Sequence, residues 1–211
     1  REGLERGSRP RRPTNAAFLL MPSGDIAYRY DKVRLVPGME WGGYRPGVQP
    51  LPLFLGRWAF GPLVCYESLF GDLARAHRRE GGEVLLNLTS DVWFGAWEDL
   101  PGRLTLEQHP AHLVLRAVET RMAVARAANG GVSLLLDPRG RRVGEVVPPG
   151  AGATVGRLPV HRGPTLFSLT GDVVGPGAGL LALLSLLLPG GLRLRRSSAA
   201  GAGKAARKAP T

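Results

Sequence analysis

The sequence predicts an α/β fold, because short apolar runs typical of strands alternate along the chain with longer stretches of helical spacing. The 211 residues are enough for one sizeable core, or for one domain with an appendage. Turn signals rich in Gly, Pro, Asn and Asp separate the apolar runs from one another. We therefore expect several short strands and at least two helices in one main domain.

The chain begins with a basic segment and a predicted hairpin. Residues 1–13 are rich in Arg, Gly and Pro without periodicity, which predicts disorder. Residues 15–21 and 26–30 are apolar runs on either side of a Pro-Ser-Gly-Asp turn signal, a pattern typical of a β-hairpin. The hairpin delivers Lys32 at its end, and the simplest interpretation of that lysine alone is a surface charge.

A second predicted hairpin leads to Cys65, the only cysteine of the chain. Residues 51–55 and 58–64 are apolar runs separated by Gly-Arg, and helical spacing starts at Leu69. A thiol between a strand and a helix lies near the helix N-terminus, where the dipole and free N–H groups favour a thiolate. The alternative is a buried structural thiol that behaves as a small hydrophobe.

Five further elements are predicted downstream. Residues 83–88 are an apolar run typical of a strand, and residues 104–127 are the longest glycine-free stretch with helical spacing. Residues 132–136 and 143–147 surround an Asp-Pro-Arg-Gly turn signal and predict a hairpin. Residues 155–160 are expected to add one more strand.

The C-terminal part of the chain predicts a transmembrane helix region over residues 166–192. No charged residue lies between Asp172 and Arg193, and a bilayer requires about 20 apolar residues. The basic residues that start at Arg193 follow the positive-inside rule for a cytoplasmic end. The alternative is a buried C-terminal helix. Residues 193–211 form a basic, low-complexity tail that is predicted to be disordered.

Charge and cysteine content limit the functional classes. The formal net charge of +11 is concentrated in the two ends of the chain. Basic ends beside an apolar run favour a membrane surface and argue against nucleic acid, which requires the charge on a folded face. One cysteine excludes an internal disulfide, and no group of Cys and His has metal-ligand spacing. We expect a membrane partner, no metal and no cofactor.

Several motifs follow one another along residues 14–192, and each would be weak alone. They are Tyr30-Asp31-Lys32, Cys65-Tyr66-Glu67, Asn87-Leu88-Thr89-Ser90-Asp91-Val92-Trp93-Phe94-Gly95, Gln108-His109, Arg116-Ala117-Val118-Glu119 and Arg126-Ala127-Ala128-Asn129-Gly130-Gly131. In this order and spacing they resemble the nitrilase, or carbon–nitrogen hydrolase, superfamily. More narrowly, they resemble the catalytic domain of the bacterial apolipoprotein N-acyltransferase family.

The resemblance implies a fold and a nucleophile. The superfamily fold is a four-layer α-β-β-α sandwich of two mixed sheets, here expected in residues 14–165 and N-terminally incomplete. Cys65 is implied to be the catalytic nucleophile, and Lys32 the catalytic lysine. The ammonium of Lys32 and the backbone N–H of Tyr66 would stabilise the oxyanion that develops on the substrate carbonyl.

The resemblance also implies supporting residues. Glu40 would hold the lysine, and its alternative is a solvated loop carboxylate. Glu67 would support the active site without acting as the base, and its alternative is a carboxylate stabilised at a helix N-terminus. Apart from the resemblance, the position of Trp93 and Phe94 as two aromatic residues beside the cysteine loop predicts that they line an acyl pocket, against the alternative of core packing. His109 is interpreted as a structural histidine with satisfied hydrogen bonds.

The sequence departs from the family pattern at two places. The general base of the superfamily is a glutamate on an element upstream of Asn15, where this chain has only Glu2 and Glu5, in a stretch without that motif. We therefore expect the general-base glutamate and the first strands to be absent from this chain. After Glu40, residues 41–47 replace the longer, partly apolar arm that helps the acyltransferases admit lipid.

The implied reaction moves a fatty acyl chain from a membrane phospholipid, through a cysteine thioester, to the N-terminal amine of a diacylglyceryl-cysteine lipoprotein. The implied location is the bacterial inner membrane, with the catalytic domain on the periplasmic side. One alternative is a soluble nitrilase-type amidase that hydrolyses a small amide or nitrile. The other is a catalytically inactive fragment, which the missing general base favours.

Overall fold

The computed structural model describes residues 12–187, in two compact units. The first unit ends at Gly171 and the second begins at Asp172. Most of the basic segment 1–13 and the whole of the basic tail 193–211 therefore lie outside the described residues, and their predicted disorder stays a prediction.

The first unit contains two sheets, as the sandwich prediction requires. β1 and β2 pair antiparallel and form a separate two-stranded sheet. The other six strands form one sheet in sequence order, in which β4, β5 and β6 are parallel and the outer strands antiparallel. The strands are β1 (Ala16–Leu20), β2 (Ile26–Asp31), β3 (Leu53–Leu55), β4 (Trp58–Val64), β5 (Val84–Ser90), β6 (Ala123–Asn129), β7 (Ser133–Leu136) and β8 (Arg142–Val147).

Two helices, α1 (Gly71–Arg79) and α2 (Leu100–Thr120), cover one face of the six-stranded sheet. Alternate strand residues point toward them because successive side chains of a strand alternate between its faces. The resulting core contains Leu73, Ala74, Leu113 and Ala117 from the helices and Leu63, Leu85, Val124, Leu134 and Leu136 from the strands. A short helix, α3 (Leu166–Thr170), packs against both α1 and α2. Arg75 on α1 donates hydrogen bonds to backbone carbonyls of α3.

Both predicted hairpins that precede Cys65 are confirmed. Ala17 faces Tyr30 in the first hairpin, which ends just before Lys32. In the second hairpin Phe54 faces Ala59, and β4 then continues as a central parallel strand up to Val64. Lys32 and Cys65 therefore each follow directly after a strand, and the two strands belong to different sheets.

The single helix predicted over residues 104–127 is confirmed as far as residue 120 and is wrong for residues 121–127. α2 ends at Thr120, Arg121 adopts a left-handed backbone with φ of 54°, and the next residues form β6. The sequence contains neither Gly nor Pro at this break, and alanine, which is common in β6, is a strong helix former. Burial between β5 and β7 overrides that propensity. The strand predicted over residues 155–160 is also absent, since the described backbone there is irregular.

The predicted transmembrane helix region 166–192 requires a correction. Gly171, with φ of 76°, interrupts the stretch after α3, and the second unit contains α4 (Val174–Leu187), which has 14 residues in the described range. Within residues 12–187 no helix reaches the length and apolarity needed to cross a membrane. Residues 188–192 of the prediction lie outside the described part of the chain.

Candidate active site

Cys65 lies at the sharp turn where β4 ends and a 3-10 helix (Cys65–Leu69) begins. Its φ of 51° places the backbone in the left-handed region, which residues other than glycine rarely adopt. Such a conformation persists only where surrounding contacts fix it, and it is concentrated at functional sites. The thiol is half-buried. The predicted strand-to-helix setting is therefore present, with one 3-10 turn inserted before α1.

Glu67 is fully buried and joins the cysteine turn to the segment after Lys32. Its carboxylate accepts hydrogen bonds from the backbone N–H groups of Val33, Arg34 and Val64, at 2.6, 3.0 and 2.7 Å, and from the Tyr30 hydroxyl at 3.0 Å. Burial raises the pKa of Glu67 above its usual value, although these four hydrogen bonds oppose the shift. Glu67 therefore connects the end of β4, in one sheet, with the segment that follows β2, in the other sheet.

Lys32 is 1% exposed and is paired with Glu40, with 2.8 Å between Nζ and Oε2. Glu40 also accepts hydrogen bonds from the backbone N–H of Val36 at 2.7 Å and from the Asn15 side chain at 2.8 Å. Burial alone would raise the pKa of Glu40, but the donors, Lys32 first among them, hold that pKa below its usual value. Lys32 is thus buried and held in place by Glu40, and the surface-charge interpretation of Lys32 is wrong.

Two cavities meet at Cys65. One, of about 490 Å³, has a mostly apolar lining and lies between the cysteine turn and α2. The other, of about 650 Å³, is more polar and is lined by residues of both sheets, including Lys32 and Glu40. Met39, Cys65 and Trp93 line both cavities. The thiol therefore faces an apolar space on one side and the buried lysine on the other.

The two aromatic residues predicted to line an acyl pocket do border the apolar cavity. Trp93 is 49% exposed, and its indole N–H donates to the Ser90 carbonyl at 2.8 Å. Phe94 packs edge-to-face against His109, with 5.4 Å between the ring centroids. The Tyr66 side chain lines the same cavity and packs against Phe70. Trp93 is exposed and Phe94 is part-buried, and neither belongs to the buried core, so their role in an acyl pocket stays a prediction.

Behind Cys65, between the six-stranded sheet and α2, lies a buried polar network that the sequence reasoning did not assemble. Arg126 is bonded to Asp91, to the Asn87 side chain and, at 2.9 Å, to the Val132 carbonyl. His109 Nδ1 lies 3.0 Å from Asp91 Oδ1. Burial alone would raise the pKa of Asp91, but the hydrogen bond from His109 and the charge of Arg126 lower it.

The network reaches Cys65 through two backbone carbonyl groups, that of Leu63 at the end of β4 and that of Cys65 itself. The Asn87 side chain donates to the Leu63 carbonyl at 3.1 Å, and His109 Nε2 lies 3.4 Å from the Cys65 carbonyl oxygen. His109 therefore has a partner on each ring nitrogen, as its structural interpretation expects. A polar residue within an apolar strand is the signal that was available, because Asn87 and Arg126 require buried partners.

No described carboxylate is in place as a general base. Glu40 and Glu67 are both occupied by the donors given above, and within residues 12–187 no hydrogen bond joins a carboxylate to the Cys65 thiol. The same described range contains no cluster of three His, Cys, Asp or Glu side chains arranged to bind a metal ion. The thiol of Cys65 and the ammonium of Lys32 line the same cavity, which is the arrangement that a cysteine nucleophile with a cationic oxyanion site requires.

Comparisons with known proteins define the class. Residues 3–156 match the profile of the family described as Carbon-nitrogen hydrolase. The chain belongs to this family, and the resemblance predicted from its motifs is confirmed.

Within that family the chain is similar to curated apolipoprotein N-acyltransferases. It is 34% identical over 192 residues to the Apolipoprotein N-acyltransferase of Geobacter metallireducens, which covers 81% of this chain and 36% of that protein. The same-named protein of Bradyrhizobium diazoefficiens is 32% identical over 205 residues, which covers 87% of this chain and 36% of that protein. The chain thus spans about a third of the length of these relatives.

Solved structures confirm the sandwich fold. A glutamine mutant of the amidase from Nesterenkonia sp. AN1, with acrylamide added at its active-site cysteine, is 27% identical with a TM-score of 0.56. The match covers 68% of this chain and 56% of that chain. A carbon–nitrogen hydrolase from Helicobacter pylori G27, 17% identical with a TM-score of 0.55 over 63% of this chain and 54% of that chain, shares the fold.

Proposed function

We propose that this chain carries the nucleophile and oxyanion site of an N-acyltransferase that matures bacterial lipoproteins. The observation that carries the proposal is the position of Cys65 between an apolar cavity and the buried Lys32–Glu40 pair. The names of the relatives support the acyl-transfer chemistry. The proposed donor is a membrane phospholipid, and the proposed acceptor is the free α-amine of a diacylglyceryl-cysteine lipoprotein.

The proposed reaction has two steps. The Cys65 thiolate attacks the ester carbonyl of the phospholipid, and Lys32 and the Tyr66 N–H hold the resulting oxyanion. The general base takes the proton of the thiol and passes it to the leaving oxygen as the carbon–oxygen bond breaks, so the lysophospholipid leaves as an alcohol and a thioester remains on Cys65. The lipoprotein amine then attacks the thioester, the carbon–sulfur bond breaks, an amide forms, and the proton lost by the amine passes through the base to the cysteine sulfur.

The apolar cavity is the proposed site for the acyl chain. Its lining includes Met39, Leu69, Trp93 and Phe94, and apolar surface of this kind favours a hydrocarbon chain over water. The polar cavity beside Lys32 is the proposed place where the reacting carbonyl and the incoming amine meet. We place the protein at the bacterial inner membrane, with this domain on the periplasmic side, where protease added to intact spheroplasts should digest it.

The general base is proposed to come from outside residues 12–187. A cysteine nucleophile is activated by an adjacent base that takes its proton, and the loss of a general base costs about 10²–10⁴-fold in rate. The described carboxylates at the site are already bonded to Lys32, Tyr30 and backbone donors. The 211-residue chain alone is therefore expected to form no thioester from phospholipid.

The test exploits the single cysteine and an activated ester. An ester with a good leaving group, p-nitrophenyl octanoate, acylates a thiolate without help from a base. We expect the purified chain to gain one octanoyl group, detected by intact-mass spectrometry, and the Cys65→Ala variant to gain none. Equal labelling of the Cys65→Ala variant would overturn the proposal. A thioester formed from phospholipid by the parent chain alone would show that a resident carboxylate serves as the base.

A second candidate function is hydrolysis of a small amide, which rests on the fold shared with the Nesterenkonia amidase. The two functions differ in the acyl group that the site accepts. Release of ammonia from butyramide at a rate that exceeds octanoyl transfer would favour the amidase. A preference for long acyl esters would favour the acyltransferase, because the apolar cavity would otherwise remain unused.

A further inference from the structure

The backbone carbonyl of Cys65 is contacted by a side chain of α2, which is far away in the sequence but adjacent in the fold. His109 Nε2, on α2, lies 3.4 Å from the Cys65 carbonyl oxygen. The ring is 5% exposed and is held by Asp91 on Nδ1 and by the edge-to-face contact with Phe94. An imidazole fixed in this way holds its Nε2 in one place, so the contact with Cys65 is set by the fold.

The Cys65 carbonyl and the Tyr66 N–H belong to one peptide group. A trans peptide is planar, and its C=O and N–H point in opposite directions. Any contact that fixes the direction of the Cys65 carbonyl therefore also fixes the direction of the Tyr66 N–H. A hydrogen bond accepted by the carbonyl further strengthens the N–H of the same peptide as a donor.

We propose that His109 is a positioning residue for the oxyanion site: by donating to the Cys65 carbonyl it aims the Tyr66 N–H at the reacting carbonyl. The inference rests on the proposed function, in which that N–H holds the oxyanion. The left-handed backbone at Cys65 gives His109 this role, because a strained peptide requires contacts that keep it from relaxing.

The group that faces Nε2 of His109 is an acceptor, the Cys65 carbonyl oxygen, so this contact is a hydrogen bond when Nε2 carries a proton. Nδ1 faces the Asp91 carboxylate, which holds the ring in place from the other side. The charged groups facing the ring are Asp91 and Arg126, with Arg126 Nη2 3.3 Å from Nδ1. Arg126 is itself held by Asn87 and by the Val132 carbonyl.

Two reagents separate positioning of the oxyanion site from simple reactivity of the thiol. Iodoacetamide alkylates Cys65 by displacement of iodide, which creates no oxyanion. The ester p-nitrophenyl octanoate acylates the same thiol through a tetrahedral oxyanion, which the oxyanion site stabilises. The ratio of the acylation rate to the alkylation rate therefore reports the oxyanion site, and the single cysteine makes both rates specific.

The variants are His109→Phe, which fills the space without a donor, and His109→Gln, which restores an N–H donor. We expect the rate ratio of His109→Phe to fall about tenfold or more. This loss is smaller than the roughly 10²–10³-fold loss that follows when an oxyanion donor is removed outright. His109→Gln should recover most of the ratio. His161→Ala, in which an exposed histidine side chain is removed, is the matched control and should keep the parent ratio.

The outcomes are distinguishable from failure of the proposed function. A parent ratio in His109→Phe overturns the positioning role, provided that Lys32→Met lowers the ratio in the same assay. An equal loss of both rates in His109→Phe and in His109→Gln shows a merely structural role and also overturns it. If Lys32→Met leaves the ratio unchanged as well, it is the proposed oxyanion chemistry that fails.

Discussion

Two buried ion pairs flank Cys65, and they are built from the same kind of groups. On one side, Lys32 is paired with Glu40, and on the other, Arg126 is paired with Asp91. The environments differ. Lys32 lines the polar cavity that also contains the thiol, whereas all three guanidinium nitrogens of Arg126 are bonded to protein acceptors.

This difference shows that the position of an ion pair decides whether it can take part in catalysis or only stabilises the fold. An ammonium that lines a cavity next to a thiol and is bonded to one carboxylate keeps further N–H donors for a developing negative charge. A guanidinium that is buried and bonded at every nitrogen inside the protein is out of reach of a substrate and instead connects neighbouring strands. The first pair is therefore expected to control rate, and the second to control stability.

The largest expected effect is a loss of stability in Arg126→Met. This change leaves the Asp91 carboxylate buried without its cation, which typically costs about 3–5 kcal/mol. Urea unfolding followed by circular dichroism measures the change. The matched control is Arg141→Met, since the Arg141 side chain is 69% exposed in its pair with Asp137 and such pairs contribute about 0–1 kcal/mol. Similar losses in the two variants would remove the distinction between the pairs.

The next effect is a loss of rate without a comparable loss of stability. The double variant Lys32→Met/Glu40→Gln removes both charges of the first pair, so neither ion is left buried alone. We expect octanoyl transfer to Cys65 to fall about 10²–10³-fold, the loss typical of an oxyanion donor, while the urea midpoint changes little. Arg34→Met, which breaks a nearby exposed pair with Asp72, should keep the parent rate. A double variant that acylates at the parent rate would contradict a role for Lys32.

Sequence reasoning predicted the first pair and missed the second for a physical reason. The order of the motifs around Lys32, Glu40, Cys65 and Glu67 identified one site, and each motif is contiguous in the chain. The second network depends on β5 and β6 lying side by side, with Asn87 opposite Arg126. No local pattern encodes that pairing.

The missed strand and the missed network are the same error. With residues 104–127 interpreted as one helix, no strand was predicted that would hold Arg126 beside Asn87. In the structure the helix ends at a left-handed Arg121, and Arg126 points into the core from β6. A charged residue in a short apolar run that precedes Asn129-Gly130 is equally typical of a buried strand with a polar partner, and that pattern was available.

A third buried group, His77, sharpens the comparison because it is neutral. His77 is fully buried on α1, with Nε2 2.8 Å from the Pro62 carbonyl, and burial lowers its pKa from 6.5 to about 4. The unfolded chain takes up a proton near pH 6.5, but the folded chain does so only near pH 4. Stability is therefore lost as the pH falls through this window, by up to about 3 kcal/mol.

The measurement is urea unfolding at pH 7 and pH 4.5, for the parent and for His77→Gln. The glutamine retains a donor for the Pro62 carbonyl but does not titrate. The parent should lose more stability than the variant, and the difference isolates His77 from Glu67, whose raised pKa acts in the opposite direction in both proteins. Equal losses would show that His77 is already charged in the folded protein.

The smallest expected effect concerns the wall between the two cavities. Trp93 and Met39 line both cavities, so the indole ring of Trp93 supplies apolar surface to a bound acyl chain. Trp93→Ala should lower the ratio of acylation by p-nitrophenyl octanoate to acylation by p-nitrophenyl acetate about tenfold. That change corresponds to roughly two buried methylenes at about 0.8 kcal/mol each. The acetate rate should hardly change, because Lys32 and the Tyr66 N–H remain in place.

The matched control for this variant is Trp41→Ala. Trp41 is 63% exposed and lines neither of the two cavities that meet at Cys65. Its removal should leave the octanoate-to-acetate ratio unchanged. A fall in the ratio with Trp41→Ala but not with Trp93→Ala would move the acyl chain out of the apolar cavity and toward residues 41–47. The acyl chain would then approach Cys65 from the side of Lys32 and not from the side of the apolar cavity.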